Sequence, residues 1–292
     1  MGPEHPESPI RLLAIQKVLQ KTGLIDHLQQ MESVHVTPEQ VQLAHANLHQ
    51  KRLEMKQPAE GVVYTDEDTA LCPDSLHAAS LAAGSTILAT NQVLTEQVNN
   101  AFCAVRPPGH HAEHNAAMGF CFFNNVAIGA MHALLQPTVQ RVAIVDFDVH
   151  HCNGTVDIFK DKPEVLVCST FQHPYYPERY SDIQRDNIIN CPIAAHTKSS
   201  VFREQLEKYW LPALQKHKPD IIFISAGFDA HHEDPMADLN LTEDDYRWAT
   251  QLLMDAARTT CGGRLVSVLE GGYNPVALAF SVQAHLEVMA GY

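Results

Sequence analysis

The sequence predicts a single α/β domain over residues 1–292, built on an open, mostly parallel β-sheet flanked by helices, with its site at the carboxyl ends of the strands. Three observations point there. Short apolar runs lack the in–out alternation of a half-exposed strand, as strands covered on both faces do. Helical patterns lie between the runs, so the crossovers can carry helices. Most of the runs end in polar, titratable or glycine-rich sequence, which is where open α/β sheets build their sites.

Strands are expected at residues 101–105, 142–145, 165–170, 221–225 and 265–269. Asp74 can cap a helix that runs to about Thr90, and further helices are expected over 125–135, 201–216, 242–258 and 276–289. Thr242 with Asp245 resembles a capping box, and Asn274-Pro275 is a favoured helix start.

Composition narrows the function. Apolar residues make up 45% of the chain, enough for a large core, yet no apolar run approaches the roughly 18 residues of a membrane span. The N-terminus lacks a secretory pattern. Seven cysteines without a C-x-x-C pair suit reduced thiols in a cytoplasmic protein. A formal charge of −14 argues against holding nucleic acid by its phosphates and suits cationic substrates such as lysine tails or polyamines. Most histidines, among them His27, His45, His49 and His217, are expected at the surface.

Three motifs carry chemistry. Asp146-x-Asp148-x-His150 follows an apolar run, and alternate residues of an extended chain share one side. Carboxylate and imidazole together suit zinc, and Asp229, after another run, is the best candidate for a further carboxylate. Two Asp and one His leave a coordination position open, as a catalytic site requires. His110-His111 follow a rigid Pro107-Pro108-Gly109 lead, and two imidazoles near a metal can divide the proton work. In Gly271-Gly272-Tyr273 the glycines let backbone approach a substrate, and the phenol can donate to a developing oxyanion.

Taken together, Arg106-Pro107-Pro108-Gly109-His110-His111, Gly119-Phe120-Cys121, Asp146-Phe147-Asp148-Val149-His150-His151, Ala226-Gly227-Phe228-Asp229 and Glu270-Gly271-Gly272-Tyr273-Asn274 resemble the histone deacetylase signatures, in that family's order and spacing. The resemblance runs from His5-Pro6-Glu7 onward, and Asn153-Gly154-Thr155 looks closer to class II and bacterial relatives than to class I.

The resemblance implies a zinc-dependent amidohydrolase acting on N-acyl-lysine or a small acylamine such as an acetylpolyamine. It implies Asp148, His150 and Asp229 as ligands of one zinc, and His110 oriented by Asp146. By the same resemblance His111 would be the principal general base and acid, with Asn153 as its partner where class I relatives carry Asp. Tyr273 would polarise the acyl carbonyl. Phe120 and Tyr176 would wall the substrate channel, Gly119 and Gly272 would line it, and Met236 would sit near its mouth. Potassium is implied at Asp146, Asp148, His150 and Ser169. Arg11 resembles a family arginine behind the active site. No nucleic-acid or membrane partner is implied; a homo-oligomer is compatible with the sequence, which does not set the oligomeric state.

Three features depart from the family pattern. The chain starts at Met1-Gly2-Pro3-Glu4-His5-Pro6, where relatives usually carry a preceding strand: either the sequence is truncated there or the protein lacks that strand. Cys152 replaces a usual Gly and would be strained if the position needs positive φ. Met236, after Asp234-Pro235, stands where polyamine-selective relatives carry a gatekeeping Glu. Other readings are weaker. An arginase-like urea hydrolase needs a second D-x-D pair, but Ala230-His231 follow Asp229. A non-catalytic binder would have lost Tyr273, a ligand or the histidine pair. A cysteine hydrolase on Cys121 or Cys152 has no nucleophile motif.

Overall fold

The computed structural model describes residues 5–292; the chain start, with its question of a truncated sequence or a lacking strand, falls outside them. In chain order the elements are α1 (Ile10–Thr22), a 3-10 turn (Leu24–His27), α2 (Pro38–Val41), α3 (Asn47–Lys56), β1 (Val63–Tyr64), β2 (Ala70–Leu71), α4 (Ser75–Leu94), β3 (Asn100–Cys103), α5 (Asn125–Leu134), β4 (Val142–Asp146), α6 (Asn153–Phe159), β5 (Val165–Gln172), β6 (Ile188–Ile193), α7 (Ser199–Gln205), a π-helical turn (Leu206–Trp210), α8 (Leu211–His217), β7 (Ile221–Ala226), α9 (Glu243–Cys261), β8 (Leu265–Leu269) and α10 (Pro275–Ala290).

Strands β3 to β8 form one six-stranded sheet in the order β3-β8-β7-β4-β5-β6, with every neighbouring pair parallel. β1 and β2 make a separate antiparallel pair. From β4 the chain steps outward through β5 and β6, then returns to lay β7 and β8 on the other side of β4. The winding direction therefore reverses between β4 and β7, which opens a crevice beyond their carboxyl ends.

The central strands are buried throughout and mostly apolar because both faces are covered. Ala143 and Val145 of β4, Leu166 and Cys168 of β5, and Ile222 and Ile224 of β7 pack with Ile15, Trp210, Leu253 and Val282 from α1, the π turn, α9 and α10. Their alternates Val142, Ile144, Val165, Val167, Ile221 and Phe223 pack on the opposite face with Ala83, Ile87, Val126 and Phe159 from α4, α5 and α6. Among the described residues no helix is long and apolar enough to cross a membrane.

Several local expectations need correction. β6 was not anticipated: Asn190 and Pro192 interrupt its apolar pattern, and Pro192 is tolerated because β6 is an edge strand. The helix expected at 201–216 is α7, the π turn and α8 in succession. Asp74 makes no side-chain cap; Ser75 Oγ instead accepts the Cys72 N–H at 2.8 Å. The Asp245 carboxylate does accept the Thr242 N–H at 3.0 Å, and Asn274 Oδ1 accepts the N–H groups of Val276 and Ala277. His45 and His49 are buried rather than exposed, each bonded to backbone: His45 Nδ1 to Glu113 O and His49 Nε2 to Phe122 O. Cys152 has φ −79°, so the position does not need glycine's conformational freedom and the expected strain is absent.

Candidate metal centre and active site

Beyond β4 the chain stays extended enough to sort its side chains. Phe147 and Val149 enter the core, while Asp146, Asp148 and His150 turn to the crevice. Asp229, two residues beyond Gly227 at the end of β7, closes on them from the neighbouring strand. Asp148, His150 and Asp229 each offer a ligand atom within 4.8 Å of the others, and all three are buried. His150 Nδ1 lies 3.0 Å from Asp148 Oδ1 and 3.3 Å from Asp229 Oδ2. The outer oxygens are fixed by backbone: Val149 N–H donates to Asp229 Oδ1 at 2.9 Å, and Gly271 N–H to Asp148 Oδ2 at 2.8 Å.

Asp229 Oδ2 is buried with no hydrogen bond of good geometry; His150 Nδ1 lies 3.3 Å from it. An unpaired carboxylate oxygen is costly in a dry interior unless a cation meets it. Two carboxylates and one imidazole, with that oxygen aimed inward, fit a divalent metal such as zinc.

The His110 and His111 rings lie 4.0 Å apart between centroids. Their backbone is held by Glu270, whose Oε2 accepts the N–H of Gly109 at 2.6 Å and of His110 at 3.1 Å. His110 Nδ1 is 3.0 Å from Asp146 Oδ2, and His111 Nδ1 is 2.7 Å from Asn153 Oδ1. Burial alone would lower both histidines. At His110 the carboxylates of Asp148 and Asp146 outweigh it and hold the imidazolium well above its ordinary range. At His111 burial is reinforced by the charges of His110 and His150, so the ring is held neutral, well below its ordinary range. The pair is thus divided into a charged and a neutral member.

The remaining predicted residues gather around this centre. Tyr176 stands edge-on to His111, at 5.2 Å between centroids, and to His150, at 6.0 Å. Phe120 packs edge-on against Tyr273 at 5.9 Å. The Gly119 N–H donates to Asp68 Oδ1 at 3.1 Å, and any side chain at Gly119 would collide with the His111 ring. Gly272 takes φ 121°, a value that favours glycine, and its carbonyl accepts from Arg11 Nε at 2.7 Å. Arg11 also donates to the Glu270 carbonyl, and its guanidinium lies 5.0 Å from the Tyr273 ring centre. Burial holds the Tyr273 phenol protonated, well above its usual range. Met236 is half-buried, and its carbonyl accepts the Tyr175 hydroxyl at 2.6 Å. Ser169 sits beside Asp146 in the β4–β5 register with its hydroxyl buried and unpartnered.

Four residues of the site were given no role from the sequence. Asp234 accepts the Tyr273 N–H at 2.6 Å, and burial first, then the Asp229 charge, pushes its carboxyl up to about 7. Glu270 anchors the histidine segment, Tyr175 stacks on His150 at 5.7 Å, and Glu113 bonds Asn153 at 2.8 Å. Of these, only Glu270 carried a local signal, as a lone carboxylate closing an apolar strand.

Comparison with known proteins agrees with this geometry. Residues 5–289 match the histone deacetylase domain. The chain is 35% identical to a histone deacetylase-like amidohydrolase of Pseudomonas aeruginosa, over 98% of this chain and 77% of that protein. It is 34% identical to a probable deacetylase of Archaeoglobus fulgidus, over 100% of this chain and 83% of that one. The crystal structure of the HDA15 HD domain superposes with a TM-score of 0.93 at 33% identity, covering 100% of this chain and 83% of the other. A buried Asp/His/Asp cluster at the switch point of a parallel sheet, a paired histidine motif beside it and a match along nearly the whole chain place the protein in the histone deacetylase family of amidohydrolases.

Proposed function

We propose that the protein is a zinc-dependent deacylase that hydrolyses N-acyl amides of the N-acetyl-lysine type, releasing acetate and the free amine. The observation that carries this reading is the buried Asp148–His150–Asp229 cluster, in which Asp229 Oδ2 makes no hydrogen bond, set directly against the histidine pair. When bound there, zinc supplies Lewis-acid polarisation of the amide carbonyl and acidifies water.

The other roles fall to the chain's own residues. Neutral His111 takes the proton from the attacking water and returns it to the departing amine, which leaves poorly as an anion. His110, held charged by Asp146 and Asp148, stabilises negative charge without exchanging its proton. The Tyr273 hydroxyl, kept protonated, donates to the oxygen on which charge develops. Phe120 and Tyr176 flank the approach and suit the methylenes of a lysine stem, Gly119 and Gly272 line it with backbone, and Met236 lies at its mouth. In the same reading residues 1–292 act as a single catalytic domain in the cytoplasm, and Asp146, Asp148, His150 and Ser169 hold a structural potassium, partly through backbone carbonyls.

The test is a substrate panel with the zinc-loaded protein: acetyl-, trifluoroacetyl- and longer acyl-lysine peptides against acetylpolyamines. Acetyl-lysine peptides should give the highest kcat/KM, and strong chelation should abolish turnover. Preference for acetylpolyamines would replace the substrate while keeping the chemistry; turnover unaffected by chelation would overturn the metal role.

A further inference from the structure

The hydrogen-bond chain behind His111 does not stop at Asn153. Asn153 Nδ2 lies 2.8 Å from Glu113 Oε1, 3.3 Å from the His111 carbonyl and 3.2 Å from Met118 Sδ. Glu113 Oε2 is paired in turn with Arg179 Nη2 at 3.1 Å. The Glu113 side chain is only 7% exposed, whereas that of Arg179 is 49% exposed, so the chain runs from the catalytic interior to the surface.

A neutral partner creates a problem that a carboxylate would not. An amide has a carbonyl at one end and an NH2 at the other with nearly the same shape, and a neutral imidazole can meet either. With Oδ1 toward the ring, His111 Nδ1 carries the hydrogen and Nε2 keeps its lone pair. With the amide reversed, Nδ1 accepts and the hydrogen moves to Nε2, where the ring can no longer take a proton from water. Asn153 alone does not choose; the acceptors facing its Nδ2 do, and of these the Glu113 carboxylate at 2.8 Å is closer than the His111 carbonyl at 3.3 Å. An ionised carboxylate accepts only, so a carboxylate behind the amide forces Nδ2 toward itself and Oδ1 toward the ring.

We propose that Glu113 is a positioning residue that orients the Asn153 amide and thereby holds His111 in the Nδ1–H tautomer, with Nε2 free as the base. Glu113 acts through Asn153 and touches neither substrate nor reacting atoms. The inference rests on the reading of His111 as the proton-transfer group. It also pairs two positions: a neutral amide at 153 needs an acceptor at 113, whereas a carboxylate at 153 would need none and would be repelled by one.

The test uses 15N-histidine-labelled, zinc-loaded protein. Long-range proton–nitrogen correlation spectra report which ring nitrogen carries the hydrogen, and His111 is assigned by the signal lost in His111→Gln. Wild type should show the Nδ1–H form. Glu113→Gln, whose own amide can turn either way, should populate Nε2–H and lower kcat about tenfold with KM within about twofold. Asn153→Asp alone sets two carboxylates against each other and should also lose turnover. The double variant Asn153→Asp/Glu113→Gln should restore Nδ1–H and turn over faster than either single variant. An Nε2–H form in wild type, an unchanged tautomer in Glu113→Gln, or a double variant no better than the single ones would overturn the proposal. A tautomer that shifts as described, with His111→Ala still active, would support the positioning and remove instead the role given to His111.

Discussion

Gly227 lies so close to Asp148 that a Cβ added to it would fall within the Asp148 carboxylate. Gly227 is not among the glycines with positive φ, so close approach is what requires glycine here. Gly271 stands in the same relation to Asp229, and its N–H also donates to Asp148. The ends of β7 and β8 thus leave room for the two carboxylates at the metal cluster.

Gly227→Ala should therefore displace Asp148 while leaving the sheet intact. Metal affinity should fall about 10- to 100-fold, the range for lost support of a ligand. Metal analysis after dialysis against a weak chelator reads this directly, with circular dichroism as the control for folding. Full zinc retention in the folded variant would show that Asp148 is not a ligand.

Tyr273→Phe should impair turnover far more than binding. In the proposed role the phenol's strongest bond forms in the transition state, so its loss should lower kcat on the order of a hundredfold with KM within a few-fold. Steady-state kinetics on an acetyl-lysine peptide decide it. Unchanged kcat with raised KM would assign Tyr273 to substrate binding alone.

The frame of this site was legible because its residues sit at the ends of strands that are mostly apolar, without in–out alternation. Residues 142–145, 221–225 and 265–269 announce buried strands, and whatever follows them must meet at one crevice. The strand order, with β7 beside β4, is what brings Asp229 to His150, and no local pattern carries it. β6 was hidden by Asn190 and Pro192, and the hairpin of β1 and β2 was hidden because each strand is only two residues long. Glu113, Asp234 and Tyr175 act through partners 40, 39 and 61 residues away, so their roles exist only once the chain is folded. His45 and His49 read as surface residues because their acceptors are distant backbone carbonyls.

On the roles proposed for them, His110 and His111 should respond unequally to removal. His111→Ala should lower kcat/KM by about 10²- to 10⁴-fold, the usual range for a positioned proton-transfer group. His110→Ala should leave more activity, since its charge assists but exchanges no proton. Neither belongs to the Asp148–His150–Asp229 cluster, so on the proposed assignment zinc should stay bound in both. Kinetics with metal content measured on the same samples checks the division; His111→Ala with most of its activity, or zinc loss from either variant, would contradict it.

A last prediction concerns stability rather than turnover, and it comes from a histidine far from the metal. His285 is buried among Phe102, Phe147 and Phe228, with Nδ1 2.6 Å from Thr250 Oγ1 and Nε2 2.9 Å from Ser267 Oγ. Burial lowers its pKa to about 3, whereas an unfolded histidine titrates near 6.5. As pH falls below that unfolded value, the unfolded chain takes up a proton that the native ring refuses. The folded state therefore loses about 1.4 kcal/mol per pH unit, from near pH 6.5 down to the folded pKa. At pH 5 this one residue should cost about 2 kcal/mol relative to neutral pH. His45, also lowered to about 3 by burial and by neighbouring His49, adds to the slope in the same direction. Urea unfolding of the wild type should therefore show stability falling steeply between pH 7 and pH 5. His285→Gln, which cannot titrate, should start less stable at pH 7 but lose about 1.4 kcal/mol per pH unit less on acidification. Parallel slopes for the two proteins would mean that His285 is protonated in the native state, and that the Thr250–His285–Ser267 bridge accommodates charge.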